Sequence, residues 1–169
     1  MHEVFLKKAI DIAYKGKYST KPNPMVGCVI VKDNKVIADG YHMKYGSNHA
    51  EINALENLNK NNDISEKELR QLTLYCTLEP CCHHGKTGPC TDAIIKSGIK
   101  KVVIGIKDPN PKVSGSGIQQ LEDNGIEVLS GFFEEELIEL NKHFFFKNTH
   151  KRPYIACLLY TSPSPRDLH

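Results

Sequence analysis

Apolar positions along the chain fall into two rhythms, one helical and one strand-like. Over residues 3–15, Phe5, Ala9 and Ile12 recur at helical spacing beside Leu6, Ile10 and Ala13, which predicts a helix with a broad buried face. The run KPNPMVG that follows is turn chemistry, with prolines fixing φ on either side of Asn23. VGCVIVK and KVIADGYH are two short apolar runs separated by Asp33-Asn34, the pattern of a β-hairpin with a two-residue turn. Asn48 is the expected N-cap of a helix reading AEINALENLNK. LTLYCTL at 72–78 is a continuous apolar run, expected as a strand buried on both faces. A loop rich in Cys, His and Gly leads to a helix over 91–97 ended by Gly98, and KVVIGI predicts a second buried strand. After the turn-rich DPNPKVSGSG come a short helix near 117–124 ended by Gly125, a strand at 126–133 and a last helix over 134–148. That helix carries Glu134, Glu135 and Glu136 in its first turn and Lys142, His143 and Lys147 late, which agrees with its macrodipole.

An initial hairpin followed by alternating strands and helices predicts an α/β fold, a three-layer helix/sheet/helix sandwich with a mixed sheet. The 169 residues suffice for one compact domain, expected over 1–156, with no internal repeat and no linker within 1–150. From Cys157 the text CLLYTSPSPRD no longer continues the pattern, and one back-translation of it reads as the adapter of transposon-based sequencing libraries. Residues 157–169 are therefore expected to be a read-through scar or a disordered tail, without function.

Composition narrows the partners. Hydrophobic residues make up 40% and charged residues 25%, as in a soluble globular protein. A formal charge of +2 gives no support to a nucleic-acid surface, which needs a clustered basic face. No stretch approaches the ~18 consecutive apolar residues of a membrane span, and the N-terminal residues do not read as a signal peptide. The six cysteines, Cys28, Cys76, Cys81, Cys82, Cys90 and Cys157, are then expected as reduced thiols in a cytoplasmic protein. Cys28 and Cys76 sit in apolar strands and read as core thiols.

Candidate chemistry gathers at His49-Ala50-Glu51 and at Glu79-Pro80-Cys81 through Pro89-Cys90. A catalytic zinc usually takes three protein ligands and leaves a fourth position for water, which His49, Cys81 and Cys90 would supply. Two thiolates also balance the charge of the ion, so such a site tolerates burial. Glu51 fits as proton carrier. Residues two apart in a helix point ~200° apart, so His49 and Glu51 both reach one metal only if it lies off the first turn, near the helix axis. Cys90, just before TDAIIKSG, suggests a second helix start aimed at the same point. The alternative for Asn48-x-x-Glu51 is a capping box, with Glu51 bonding only the Asn48 backbone N–H. Zinc deaminases carry H-x-E…P-C-x-x-C with the Glu as acid/base. The first half is present, but Cys81 and Cys90 stand nine positions apart, which disfavours deaminases of nucleic acids and free nucleosides.

KPNPMVGCVI, YHxKYGSNHAE, TLEPCCHHGKTGPC and KDPNPKVSGSGI, in this order over about 1–156, together resemble the deaminase domain of the bifunctional riboflavin-biosynthesis deaminase/reductases, of the cytidine deaminase-like superfamily. Members often have Ser at the position of Cys82 and Pro at that of Gly88. The resemblance implies Zn²⁺ on His49, Cys81 and Cys90, Glu51 as proton donor, and Asn23, His42, Lys86 and Asn110 as substrate contacts. It implies the substrate 2,5-diamino-6-(5-phospho-D-ribosylamino)pyrimidin-4(3H)-one, which loses its ring 2-amino group as ammonia. An Asn amide suits a pyrimidine edge and Lys86 a ribose phosphate; equally, Asn23 and Asn110 fit as turn residues between prolines and Lys86 as a solvated loop charge. The family's NADPH-dependent reductase half is expected to be missing after Arg152-Pro153-Tyr154, so the chain is expected to deaminate without reducing. Members tend to form oligomers, which leaves homo-oligomerisation open. Three rivals remain: another nucleoside or nucleobase zinc deaminase, a non-catalytic zinc module closed by a fourth ligand from Cys82, His83 or His84, and an inactive fragment that needs its missing half to fold or assemble.

Overall fold

The computed structural model describes residues 1–61, 64–83, 88–110 and 113–155. Helix α1 (His2–Ala13) runs into one 3₁₀ turn at Tyr14–Gly16. Strands β1 (Gly27–Lys32) and β2 (Lys35–Tyr41) form the expected hairpin, with Asp33 and Asn34 at φ 47° and 60° in the left-handed turn that matches strand twist. Next come α2 (Ala50–Asn61), a four-residue α3 (Glu66–Leu69), β3 (Thr73–Leu78) and α4 (Cys90–Ser97), which ends at left-handed Gly98. β4 (Lys101–Ile106), α5 (Ser116–Asp123), β5 (Glu127–Ser130), α6 (Glu134–Leu140) and α7 (Lys142–His150) complete the described elements.

The sheet order is β2-β1-β3-β4-β5, with β1 antiparallel to both its neighbours and β3, β4 and β5 parallel. Alternation of side chains sorts the core into two faces. Cys28, Ile30, Leu74, Cys76, Val102 and Ile104 pack with Ala54 and Leu58 of α2, Ile94 of α4 and Leu121 of α5. Val29, Val31, Tyr75 and Val103 meet Phe5, Leu6 and Ala9 of α1, while Leu137 and Leu140 of α6 and Phe145 of α7 join Leu78 and Ile106 nearby. The result is the expected helix/sheet/helix sandwich with a mixed sheet. α2 reaches β2 closely because position 40 is glycine, where a Cβ would lie 2.3 Å from the Ala54 nitrogen.

Four local expectations need correction. The last helix is broken at Asn141, whose Oδ1 accepts from the Met25 N–H at 2.7 Å and whose Nδ2 donates to the Met25 carbonyl at 2.8 Å. β5 spans 127–130 and not 126–133, because Gly131 takes φ 94° and the N–H groups of Gly131 and Phe132 both turn back to the Gly105 carbonyl. Helix α3 went unanticipated, although its capping box, Ser65 with Glu68, was written in the sequence. Finally, α2 starts at Ala50 and its first bond runs from the Asn53 N–H to the His49 carbonyl, so the cap position is His49 rather than Asn48. Asn48 is occupied otherwise: its carbonyl faces the His42 ring and its amide donates to Glu56.

Candidate functional site

Strand polarity explains why distant residues meet. With β1 reversed between β2 and β3, the start of β1 and the ends of β2, β3 and β4 share one rim of the sheet. Asn23 precedes β1, His42 follows β2, His49 and Glu51 open α2, Cys81 follows β3, Cys90 opens α4 and Asn110 follows β4. The carboxyl ends of parallel strands are the usual place for ligand crevices in open α/β sheets.

At this rim the donor atoms of His49, Cys81 and Cys90 all lie within 4.8 Å of one another. His49 Nδ1 is 3.5 Å from Cys81 Sγ and 3.3 Å from Cys90 Sγ. Tetrahedral zinc with ordinary bonds to sulfur and nitrogen sets such S···N edges at roughly 3.5 Å, so the donor set fits a divalent metal. Among the described residues no further His, Cys, Asp or Glu joins the cluster; Cys82 is half-buried and His83 faces the adjoining cavity. His49, being the cap, escapes the helical 100° step and lines the same cavity as Glu51. α4 does begin at Cys90, whose backbone N–H points to Cys81 Sγ at 3.5 Å.

Charge is distributed accordingly. The Cys90 thiol, and then His49 and the Cys90 N–H, hold the Cys81 thiol well below its usual range against burial. The same thiol pair, with burial, pushes Cys90 upward. His49 is raised, chiefly by its hydrogen bond with Cys81. The Glu51 carboxyl is only 3% exposed and is raised by burial first and by the neighbouring Cys81 charge second. The His49 charge, and after it its own N–H and the Cys90 thiol, act in the opposite sense.

A cavity of about 310 Å³ opens beside the cluster, lined by Asn23, His42, His49, Glu51, Cys81 and Asn110 among others. His42 is buried and lowered, chiefly by desolvation. Its Nδ1 lies 3.1 Å from the Asn48 carbonyl and its Nε2 3.1 Å from Asn23 Nδ2. A carbonyl only accepts and an amide nitrogen only donates, so the neutral ring carries its proton on Nδ1 and accepts from Asn23. This chain fixes the Asn23 amide at the cavity wall. Three of the four expected substrate contacts, Asn23, His42 and Asn110, thus lie together; Lys86, like His84, lies outside the described residues.

Sequence reasoning assigned no role to two further cavity residues, Glu79 and Asp108. Asp108 is pushed up to about 6, by burial first and by nearby Glu79 among other charges, and its Oδ1 accepts the Asn110 N–H at 2.7 Å. The signal for both lay in EPC and DPNP, where an acidic residue sits directly before a proline at a strand end. Cys28 and Cys76 are directly paired across β1 and β3 and fully buried, as core thiols.

Comparison with known proteins agrees with this geometry. The profile of the cytidine and deoxycytidylate deaminase zinc-binding region matches residues 1–106. The diaminohydroxyphosphoribosylamino-pyrimidine deaminase of Buchnera aphidicola subsp. Schizaphis graminum is 49% identical over 141 residues, covering 83% of this chain and 91% of that protein. The riboflavin biosynthesis protein RibD of Actinobacillus pleuropneumoniae is 48% identical over 151 residues, 89% of this chain and 38% of its own length. A solved deaminase/5-amino-6-(5-phosphoribosylamino)uracil reductase of Thermotoga maritima superposes with TM-score 0.83 at 51% identity, over 90% of this chain and 42% of that one. The chain thus spans about two fifths of the RibD relatives it matches. By profile, identity and fold, the chain belongs to the zinc-binding cytidine and deoxycytidylate deaminase family and groups with its riboflavin-biosynthesis deaminases.

Proposed function

We propose that this chain hydrolytically deaminates 2,5-diamino-6-(5-phospho-D-ribosylamino)pyrimidin-4(3H)-one to 5-amino-6-(5-phospho-D-ribosylamino)uracil and ammonia. The observation that carries the reading is the His49-Cys81-Cys90 donor set beside buried Glu51 in one cavity. The Buchnera relative, close to this chain in extent, bears the name of a deaminase alone, which supports it. His49, Cys81 and Cys90 would hold zinc, which when bound supplies Lewis acidity that lowers the pKa of water to about 7. Three protein donors leave a coordination position open, as in catalytic rather than structural sites.

Glu51 moves the protons. It removes one from the attacking water, holds it on its carboxylate, and passes it to the ring nitrogen beside the amino-bearing carbon. It then takes the proton left on the added hydroxyl and delivers it to the amino group, so that the C–N bond breaks, ammonia leaves and the ring gains a carbonyl. A carboxyl raised by burial holds a proton more readily than an exposed one. Asn23, fixed by neutral His42, and Asn110 offer their amides to the pyrimidine edge, and Lys86 is the cation for the ribose phosphate. We place the protein in the cytoplasm; among the described residues no helix is long and apolar enough to cross a membrane, and the described cysteines are all free thiols.

The test is metal analysis joined to ammonia release from this pyrimidine, with cytidine as control. About one zinc per chain and release from the pyrimidine alone are expected. Release from cytidine instead would move the substrate to the nucleoside deaminases, and a metal held by four protein donors would favour a non-catalytic module.

A further inference from the structure

Glu79 lies one residue past β3 and two before Cys81, with a side chain only 3% exposed. Its Oε2 accepts the N–H groups of Asp108 at 3.1 Å and Gly115 at 3.0 Å. Its Oε1 accepts those of Gly117 at 3.0 Å and Ile118 at 3.3 Å. Its own N–H donates to the Ile106 carbonyl at 3.0 Å. One carboxylate therefore gathers both ends of the connection from β4 to α5, together with the first turn of that helix. Within that connection Asp108 and Asn110 line the cavity, and the Asn110 N–H is held by Asp108 Oδ1. Position 117 is glycine because the contact is so close: a Cβ there would lie 2.2 Å from the Pro80 carbonyl oxygen and 3.2 Å from Glu79 Oε1.

Only a carboxylate suits this place. Each oxygen receives two backbone donors, and backbone N–H groups cannot change role. A glutamine would offer one acceptor oxygen and aim its NH₂ group at two N–H groups. We propose that Glu79 is a positioning residue, which clamps the Asp108–Asn110 wall against the loop bearing Cys81 and so sets substrate affinity rather than the chemical step. The inference rests on the substrate reading above and adds to it the device that spaces the two halves of the cavity.

The experiment compares wild type, Glu79→Gln, Asn110→Ala and the double variant by zinc content, steady-state ammonia release and amide hydrogen exchange. For Glu79→Gln we expect full zinc, kcat within about threefold and KM raised about tenfold or more, the signature of lost binding rather than lost chemistry. Exchange should quicken at the amides of Asp108, Gly115, Gly117 and Ile118. The KM effects of Glu79→Gln and Asn110→Ala should overlap in the double variant instead of multiplying. Glu79→Asp, which keeps both acceptor oxygens on a shorter arm, should fall between wild type and Glu79→Gln, and carries the same test if the glutamine variant does not fold. Unchanged KM, or independent multiplication of the two effects, overturns the clamp. Failure of the wild type to release ammonia removes the substrate reading alone; the clamp is then judged by exchange, and unchanged protection of the four amides overturns it.

Discussion

Two glutamates at the same rim, one opening α2 and one closing β3, are equally hidden from solvent, each 3% exposed, yet their surroundings are opposite. Glu79 accepts four backbone N–H groups, two on each oxygen. Glu51 faces the cavity beside His49 and the Cys81 and Cys90 thiols. A carboxylate saturated with fixed donors is held in one geometry, while one left facing a cavity can exchange protons with what enters it. Burial therefore does not assign the role. The donors do.

The contrast is broken most sharply by activity. Glu51→Gln should lower ammonia release by about 10³-fold, within the usual span for losing a general acid/base, with zinc content unchanged; retained turnover would falsify the proton-carrier role. Stability should show the reverse order. Glu79→Ala takes the acceptor from four N–H groups, that of Gly117 buried and those of Asp108, Gly115 and Ile118 partly buried, and should cost about 3 kcal/mol in urea unfolding. Glu51→Gln, at a cavity that water enters, should shift stability by less than about 1 kcal/mol. Equal losses in the two variants would erase the distinction. Asn141→Ala removes two bonds to Met25 and should cost about 1–2 kcal/mol.

The smallest effect belongs to an exposed counterpart. Glu68 is held down to about 2, from an ordinary 4.5, first by Lys32 and then by Ser65. A depressed carboxylate contributes stability above its unfolded pKa and loses it as pH falls through the folded one. The melting-temperature gap between wild type and Glu68→Gln should thus be present at pH 6, shrink below about pH 4.5 and vanish near pH 2. A gap independent of pH would show that Lys32 and Ser65 do not act through charge.

What the sequence disclosed depended on the range of the interaction. Asp33-Asn34 between two alternating runs defines its hairpin locally, and Gly98 ends α4 locally. The meeting of His49, Cys81 and Cys90 was legible because one imidazole and two thiols flanking a buried strand are a donor set that a divalent metal takes. Asn141 was not, since nothing in its neighbourhood points to Met25, 116 residues away. Asn48 was read as a cap by residue type, and His42 and Glu56, its actual partners, come from another strand end and from the next turns of the helix. Glu79 was hidden more deeply still. Its partners are backbone amides, which every sequence has and none displays.

The sheet's polarity has a practical side. The candidate site sits where β2, β3 and β4 end, whereas the exposed Asp33-Asn34 turn lies at the opposite rim, a strand length of about 20 Å away. A fluorophore or affinity peptide grafted at that turn would be carried by the rigid hairpin without entering the cavity. The molecule has a working end and a handle end, and surface immobilisation through the handle leaves the cavity open to its substrate.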